Sequence, residues 1–263
     1  MKKNAINKKD LQGIRWYILI ALGWAYTFWI IAAIISTRNP TWPGIQWLHF
    51  LGGSSPLLGA IFTVTKLYNW KDYLRRCVNF SEFYPFVWLI ILSPVFIGII
   101  ASLITGGTID FSEEFLNQGL FYAIFLFFFG PLPEELGWRG VLFDLSRKQS
   151  FLKAQLLTAI VWFTWHLPLF FIVGTYQHGV GIGTTGFLFW SVGLILQSII
   201  MGYLYVISNR SIASAILFHY FVNLAGEALE KNLSTELITV AFYAILVLVL
   251  GFAYKNKLDV RKY

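Results

Sequence analysis

Residues 84–106 form an uncharged stretch that reads Tyr84-Pro-Phe-Val-Trp-Leu-Ile-Ile-Leu-Ser-Pro-Val-Phe-Ile-Gly-Ile-Ile-Ala-Ser-Leu-Ile-Thr-Gly106. A transmembrane helix needs roughly 20 predominantly apolar residues, so this stretch is long enough to cross a bilayer. The whole chain has the same character, because 57% of its 263 residues are hydrophobic and only 13% are charged. Soluble domains have roughly 25% charged residues. The composition therefore predicts an all-α, polytopic membrane protein.

Further apolar segments of similar length accompany this stretch on both sides. Together the candidate transmembrane helices are residues 14–36, 45–66, 84–106, 116–132, 153–173, 184–207, 210–228 and 235–254. The connections between them are short and leave no room for a separate soluble domain. We therefore predict a single membrane domain over residues 1–263, a helical bundle of about eight spans.

The charged residues between these segments alternate between the two sides of the predicted bundle. One side has most of the basic residues: Lys2, Lys3, Lys8, Lys9, Arg15, Lys66, Lys71, Arg75, Arg76, Arg147, Lys148, Lys153, Arg210, Lys255, Lys257, Arg261 and Lys262. The other side has Arg38, Asp110, Glu113, Glu114, Glu227, Glu230, Lys231 and Glu236. Cytoplasmic loops are enriched in Lys and Arg, so both termini are predicted to be cytoplasmic, with an even number of spans. Topology thus explains the net charge of +7, and we expect no binding of nucleic acid.

Residues 67–83 mix aromatic and basic side chains at helix-like spacing. This pattern is typical of an amphipathic helix that lies in the membrane interface, here on the cytoplasmic side. A plain basic loop is an equally good interpretation of the same residues. The compact chain and its short, lysine-rich loops favour the plasma membrane of a bacterium as the location.

A charged group interrupts the apolar chain at Pro131-Leu-Pro-Glu-Glu-Leu-Gly-Trp-Arg139. A charge at the bilayer centre costs roughly 2.5–3.5 kcal/mol on insertion scales, so such residues usually have a partner or a function. Glu135 and Arg139 are four positions apart with the acid first, which favours a helical ion pair. Glu134 is rotated by about 100° on a helix and need not share that arginine. The prolines of this stretch predict a kink or a new helix start.

Three more polar side chains lie inside predicted spans. His166 belongs to Trp162-Phe-Thr-Trp-His-Leu-Pro168, whose proline predicts a local distortion, and His219 and Asn223 share one face of the seventh span. A buried histidine in a membrane protein often does no more than join two helices by a hydrogen bond worth about 0.6 kcal/mol. Taken together, however, two histidines, a spare glutamate and an amide are the groups that activate a water and stabilise an oxyanion. Their depths in the spans predict a shared cavity that opens to the cytoplasm.

The order and spacing of these motifs resemble the CPBP family of intramembrane proteases, which includes the CAAX prenyl protease 2 enzymes and bacterial lysostaphin-resistance and bacteriocin self-immunity proteins. The family pattern is Glu-Glu-x-x-x-Arg, then Phe-x-x-x-His, then His-x-x-x-Asn or Asp. This chain has Glu134-Glu135-Leu-Gly-Trp-Arg139, Trp162-Phe-Thr-Trp-His166 and His219-Tyr-Phe-Val-Asn223. The resemblance covers residues 118–228, which we take as the catalytic core. Trp162 replaces the phenylalanine of the pattern, and we expect this aromatic side chain to preserve the packing.

The resemblance implies a role for each matching residue. Glu134 acts as the general base that activates a water together with His166, while His219 and Asn223 hold the developing oxyanion. Glu135 and Arg139 orient the first motif. Glu134, His166 and His219 are also candidate ligands for one Zn²⁺ with an open water position. The chain has no His-Glu-x-x-His helix, and we slightly favour a metal-free mechanism that uses the same residues.

The sequence therefore predicts an intramembrane endopeptidase that cleaves a membrane-associated or lipidated protein or peptide. One alternative is a non-catalytic membrane protein, such as a bacteriocin self-immunity factor, whose polar cluster binds a peptide without cutting it. A small-solute transporter is a third interpretation. It is disfavoured because the chain has no inverted-repeat symmetry of the kind many transporters show.

Overall fold

The computed structural model describes residues 7–106, 113–148, 150–229 and 232–254, and in these ranges the protein is built from helices. The α-helices in chain order are α1 (Lys8–Ser36), α2 (Gly44–Gly53), α3 (Ser55–Leu67), α4 (Trp70–Cys77), α5 (Pro85–Ile104), α6 (Glu113–Phe129), α7 (Pro131–Gly137), α8 (Asp144–Arg147), α9 (Phe151–His166), α10 (Tyr176–Val180), α11 (Thr185–Ile207), α12 (Ile212–Ala228) and α13 (Leu233–Tyr254). A π-helical turn, Trp138–Phe143, joins α7 to α8, and a 3₁₀ turn, Leu167–Phe171, follows α9. The predicted all-α class is confirmed.

Six helical stretches within the described ranges are long and apolar enough to cross a membrane. They are Lys8–Ser36, Gly44–Leu67, Pro85–Ile104, Phe151–Phe171, Thr185–Ile207 and Leu233–Tyr254. These stretches coincide with six of the predicted segments and confirm a polytopic membrane protein. The two remaining segments correspond to α6 and α12, which have 17 residues each. Helix α6 is also interrupted by non-helical backbone at Gly119 (φ 50°, ψ −131°), and the count of eight spans stays a prediction.

Part of the charge pattern behind the predicted topology lies outside the described residues. This part comprises Lys2, Lys3, Asp110, Glu230, Lys231, Lys255, Lys257, Arg261 and Lys262, together with the side chains of Glu113 and Glu114. The described part includes an ion pair of 3.0 Å between Lys148 and Asp10, which places the start of α1 beside the end of α8. The cytoplasmic location of both termini stays a prediction.

The segment from Pro131 to Arg147 consists of three short helical pieces. Helix α7 begins at Pro131 directly after Gly130, whose backbone (φ −122°, ψ −96°) ends α6. A proline in the first turn loses no helical hydrogen bond, because the N–H at that position has no partner within a helix. The predicted restart of the helix at the prolines is confirmed. The π turn that follows was not predicted, and such turns are rare and often found at functional sites.

Gly137 allows α7 to pack closely against α1 and α3. A β-carbon at this position would meet the Tyr17 hydroxyl and would lie 2.6 Å from the carbonyl oxygen of Pro56. The backbone of Pro56 cannot yield as a flexible side chain can, so glycine is required by this close approach. The contact fixes the helix that carries Glu134 and Glu135 against the first two spans.

Asp144, the first residue after the π turn, is the centre of a buried charged group. Its carboxylate lies 2.9 Å from Nε of Arg147, 3.0 Å from Nη2 of Arg210 and 3.4 Å from Nη1 of Arg76. The Tyr205 hydroxyl donates a hydrogen bond to the same carboxylate over 2.8 Å. We call these residues the aspartate cluster: Asp144, Arg76, Arg147, Arg210 and Tyr205.

The aspartate cluster joins parts of the chain that are far apart in sequence. Burial alone would raise the pKa of Asp144, but Arg147, Arg76 and Arg210 together hold that pKa well below its ordinary value. In the sequence, these arginines indicated only on which side of the membrane their loops lie. In the structure they gather around one acid and thereby connect α4 and the start of α12 to α8.

Two further local predictions are confirmed by the fold. Residues 67–83 contain a helix, α4, rather than only a loop. Helix α9 ends at His166, and the chain continues as a 3₁₀ turn that contains Pro168, which is the predicted distortion.

Candidate active site

Glu135 and Arg139 form a fully buried ion pair on consecutive turns. Nη1 of Arg139 lies 2.8 Å from Oε2 and 3.0 Å from Oε1 of Glu135. The predicted i,i+4 pair is therefore present. A second partner was not predicted: Nδ1 of His219 lies 2.9 Å from Oε1 of Glu135. Because a carboxylate only accepts hydrogen bonds, we assign a proton to Nδ1 of His219.

Ser198 on α11 completes the surroundings of the arginine. Nη2 of Arg139 donates to the Ser198 hydroxyl over 2.9 Å and to the Ser198 carbonyl over 3.1 Å. The guanidinium also lies 5.4 Å from the centre of the Trp162 ring, within the range of a cation–π contact. Ser198 was not predicted, because it belongs to none of the three motifs and a serine is not ionisable. A hydroxyl in the middle of a span was the available signal.

Glu134 has a different environment from its neighbour. Its side chain is buried, with 7% of the residue exposed. The Trp162 indole N–H donates a hydrogen bond to Oε2 of Glu134 over 2.7 Å. A phenylalanine at position 162 has no N–H to donate, so the expectation that Trp162 only preserves packing was incomplete. The indole holds one oxygen of Glu134 in place without neutralising its charge.

His166 is held by the backbone of its own helix. Its Nδ1 lies 2.8 Å from the carbonyl oxygen of Trp162. A carbonyl only accepts, so Nδ1 carries the proton and Nε2 of the neutral ring is an acceptor. The rings of Trp165 and Trp190 pack against the imidazole with centroid distances of 4.7 and 5.4 Å. These contacts fix both the orientation and the tautomer of His166.

Trp162 is a common neighbour of the three motifs. Its ring centroid lies 5.5 Å from that of His166 and 5.1 Å from that of His219, while its N–H contacts Glu134. The structure therefore brings side chains from α7, α9 and α12 around a single indole. We call the two glutamates and the side chains bonded to them the glutamate cluster: Glu134, Glu135, Arg139, Trp162 and His219.

Asn223 lies one helical turn beyond His219 on α12, as the sequence predicted. Its Nδ2 is 3.4 Å from the position that a β-carbon would occupy at Gly130. Gly130 directly precedes α7, so the amide lies at the start of the helix that carries Glu134. His219 and Asn223 therefore both face the segment from Gly130 to Arg139.

Two comparisons with known proteins identify the family. Residues 115–225 match the family described as Type II CAAX prenyl endopeptidase Rce1-like. The chain is also 30% identical over 236 residues to the "CAAX prenyl protease 2" of Methanococcus maripaludis, an alignment that covers 84% of this chain and 87% of the relative. The chain belongs to the Rce1-like CAAX prenyl protease family. It is therefore a membrane-embedded protease, which the motifs predicted in preference to a non-catalytic binding protein or a transporter.

The matched region of this Rce1-like protease contains every residue that the sequence assigned to the site. These are Glu134, Glu135, Arg139, Trp162, His166, His219 and Asn223. The roles of these residues in the reaction stay predictions.

The candidate zinc ligands of this Rce1-like protease do not form a metal-binding group in the structure. Among the described residues, no three His, Cys, Asp or Glu side chains are grouped so that they could hold a metal ion. One oxygen of Glu134 is bonded to Trp162, and Nδ1 of His219 is bonded to Glu135. These bonds use one oxygen of Glu134 and one ring nitrogen of His219, and a histidine ligand commonly donates its other N–H to a carboxylate. Metal binding by Glu134, His166 and His219 therefore stays a prediction, and we derive no step through a metal.

Proposed function

We propose that this protein is an intramembrane endopeptidase in which Glu134 and His166 activate a water for attack on a peptide carbonyl. The observation that supports this most is the division of labour between the two adjacent glutamates. Glu135 is bonded to Arg139 and His219, whereas the hydrogen bond to Glu134 comes from the neutral indole of Trp162. A carboxylate that is held by a neutral donor keeps its ability to accept a proton.

In the proposed reaction, one proton passes from the water to Glu134 and then from Glu134 to the leaving amine. Glu134 takes a proton from the water as its oxygen attacks the carbonyl carbon, and Nε2 of His166 accepts a hydrogen bond from the same water. The protonated Glu134 then delivers that proton to the leaving amine as the peptide bond breaks. The products are an amine and a carboxylic acid, which loses its remaining proton to the amine or to solvent, and Glu134 is again ionised.

The oxyanion of the intermediate needs hydrogen-bond donors. We assign this role to the amide of Asn223 and to Nε2 of His219. For Nε2 to donate, both ring nitrogens of His219 must carry protons, and Glu135 accepts the one on Nδ1. Glu135 thus acts on the reaction through His219.

We propose a prenylated protein or peptide as the substrate, as the name of the relative indicates for that protein. A prenyl chain partitions into the bilayer and thereby concentrates the attached peptide at the membrane. We also propose eight spans, with α6 and α12 completing the set, and both termini in the cytoplasm of a bacterium. The cavity then opens toward the cytoplasm.

The test is peptide hydrolysis by the purified full-length protein. We expect Glu134→Gln to lower kcat by about 10²–10⁴-fold against a prenylated peptide, because the general base is lost, and His166→Ala to cause a loss of similar order. Glu236→Gln is the matched control, since it removes one half-buried carboxylate that is bonded to Tyr176 and lies outside the site. Equal turnover by the wild type and both site variants would contradict the proposal.

Metal dependence is tested separately on the same preparation. We expect hydrolysis to persist after metal has been removed with a chelator and the chelator has been dialysed away. Elemental analysis of the sample provides the control for complete removal. Loss of activity that Zn²⁺ restores would show that the metal-free mechanism is wrong.

A further inference from the structure

Helix α4 begins at Trp70, separated by two residues from the end of the candidate span Gly44–Leu67. It presents two faces with different partners. Tyr73 and Arg76 are buried against the protein, while the rest of its apolar and basic side chains are exposed. The proposed mechanism uses none of these residues.

The buried face of α4 contacts the segment that carries the glutamates. The Tyr73 hydroxyl donates to the carbonyl of Leu136, the residue after Glu135, over 2.7 Å. Nη1 of Arg76 donates to the carbonyl of Gly140, in the π turn, over 3.3 Å. A β-carbon at Gly140 would lie 3.0 Å from the Tyr73 ring, so this ring packs directly against the backbone of the π turn. A shift of α4 therefore acts directly on α7 and the π turn.

The exposed apolar side chains of α4 form one stripe with Val78, which directly follows the helix. Trp70, Leu74 and Val78 follow one another at four-residue spacing and are 40%, 56% and 70% exposed. This stripe is about a third of a turn from the buried face, at 100° per residue. An apolar stripe next to the end of a span is placed to enter the boundary between headgroups and acyl chains.

The basic residues of α4 lie beside the apolar stripe. Lys71 and Arg75 are both exposed, one turn apart, on the side away from the buried face. The only acid of the helix, Asp72, lies 3.2 Å from Nε of Arg76 and is thus paired at the protein side. The membrane-facing side of α4 therefore combines apolar residues with positive charge, which complements an anionic lipid surface.

We propose that Lys71 and Arg75 of α4 bind anionic phospholipid headgroups and that this contact, through Tyr73 and Arg76, positions the segment Pro131–Arg147 for hydrolysis. The lipid contact follows from the faces of the helix. The effect on hydrolysis rests on the proposed function. Tyr73 and Arg76 are positioning residues in this scheme, because they touch the backbone around Glu134 and not the substrate.

The first experiment compares full-length protein in vesicles of phosphatidylcholine with vesicles that also contain phosphatidylglycerol. The substrate is a prenylated peptide without net charge, so that the lipid does not concentrate it electrostatically. We expect hydrolysis to be about tenfold faster in the anionic vesicles, as two basic side chains near an anionic surface allow. Equal rates in both vesicles would overturn the proposal, whereas no hydrolysis in either would count against the proposed function.

A second readout follows the helix itself and needs no activity. A nitroxide at Val78→Cys, in a Cys77→Ser background, reports access to oxygen and to a water-soluble nickel complex. We expect the label to gain oxygen access and to lose nickel access when phosphatidylglycerol is present. An unchanged label would overturn the lipid contact, whether or not the protein hydrolyses peptide.

Two double variants identify the residues that recognise the lipid. We expect Lys71→Gln with Arg75→Gln to abolish the lipid effects on both the rate and the label. Lys8→Gln with Lys9→Gln removes the same charge from exposed positions at the start of α1, at the same end of the bundle, and should keep both effects. If both double variants behave alike, the assignment to α4 is wrong.

Tyr73→Phe tests the connection to the site. It removes the hydrogen bond to Leu136 and keeps the ring, so the fold should persist. We expect the label at position 78 to respond to phosphatidylglycerol as in the wild type, while the gain in kcat falls to less than about threefold because one of the two connections is lost. A full tenfold gain in Tyr73→Phe would overturn this route.

Discussion

The glutamate cluster and the aspartate cluster lie on one continuous segment, yet their charges are balanced in opposite ways. Asp144 has three arginines and the hydroxyls of Tyr205 and Tyr68 around a single carboxylate. The glutamate cluster has two carboxylates for the single guanidinium of Arg139, and Glu134 accepts a hydrogen bond from the neutral indole of Trp162. An acid with surplus cations contributes stability, whereas an acid held by a neutral donor remains able to accept a proton. Adjacent positions in a chain can thus serve structure and chemistry separately.

The strongest way to test this difference is to remove each carboxylate in turn. Asp144→Asn should lower the free energy of unfolding by about 3–5 kcal/mol, because buried arginines lose their acid. Glu134→Gln should change it by less than about 1 kcal/mol, since the indole can still donate to the amide oxygen. Thermal unfolding in detergent measures both. Equal destabilisation by the two variants would contradict the proposed division of roles.

Acid titration separates the clusters in a second way. The pKa of Asp144 lies below its ordinary value in the folded protein. Its contribution to stability is therefore complete above about pH 4 and is lost as the pH falls further, toward the lowered pKa. We expect the wild-type melting temperature to fall below about pH 4 and that of Asp144→Asn to fall less steeply over the same range. Parallel curves for the two proteins would show that Asp144 does not supply this stability.

Trp162→Phe tests whether the hydrogen bond from the indole to Glu134 contributes to hydrolysis. It restores the residue of the family pattern and removes the hydrogen bond to Glu134. We expect kcat to fall by about tenfold, because the loss of one hydrogen bond to a charged group costs about 1.5–3 kcal/mol before relaxation. KM should change little, since Trp162 positions the base and does not hold substrate. A change confined to KM would assign Trp162 to substrate binding instead.

Ser198→Ala should have the smallest effect. Arg139 loses the hydroxyl of Ser198 but keeps its carbonyl and the Glu135 carboxylate. We expect a loss of about 1 kcal/mol in stability and activity within about threefold of the wild type. Ser191→Ala is a matched control, because its hydroxyl bonds only within the same helix to the Phe187 carbonyl. A larger effect than that of Trp162→Phe would mean that Arg139 depends on α11.

Sequence patterns predicted those features that depend on near neighbours in the chain. The Glu135–Arg139 pair follows from four-residue spacing, and the break before α7 follows from Pro131. The apolar segments predicted the long helices because length and composition alone determine whether a helix can cross a bilayer. These features can be predicted without knowing which helices contact each other.

Features that depend on contacts between distant helices were not predicted. The bond from Trp162 to Glu134 requires α9 to face α7, and nothing in either motif specifies that. Arg76 and Arg210 were interpreted as topological signals because a basic residue beside a span looks the same whether its side chain points to water or to Asp144. Residue type limits the partners of a side chain but does not select one.

The π turn between the two clusters has a consequence for insertions and deletions. It contains one residue more than an α-helical turn would need. The helix is held in place on both sides of the π turn, by the close contact of Gly137 before it and by the ion pairs of Asp144 after it. Deleting a single residue from Trp138–Phe143 would convert it to an ordinary α-helical stretch and leave Asp144 close to its arginines, because about five α-helical residues turn the chain as far as six π-helical ones. A deletion within α7 or α8 has no such extra residue to remove and would rotate Asp144 by about 100° relative to Glu134 and Glu135. The π turn is therefore the place in this segment where the loss of one residue disturbs the two clusters least.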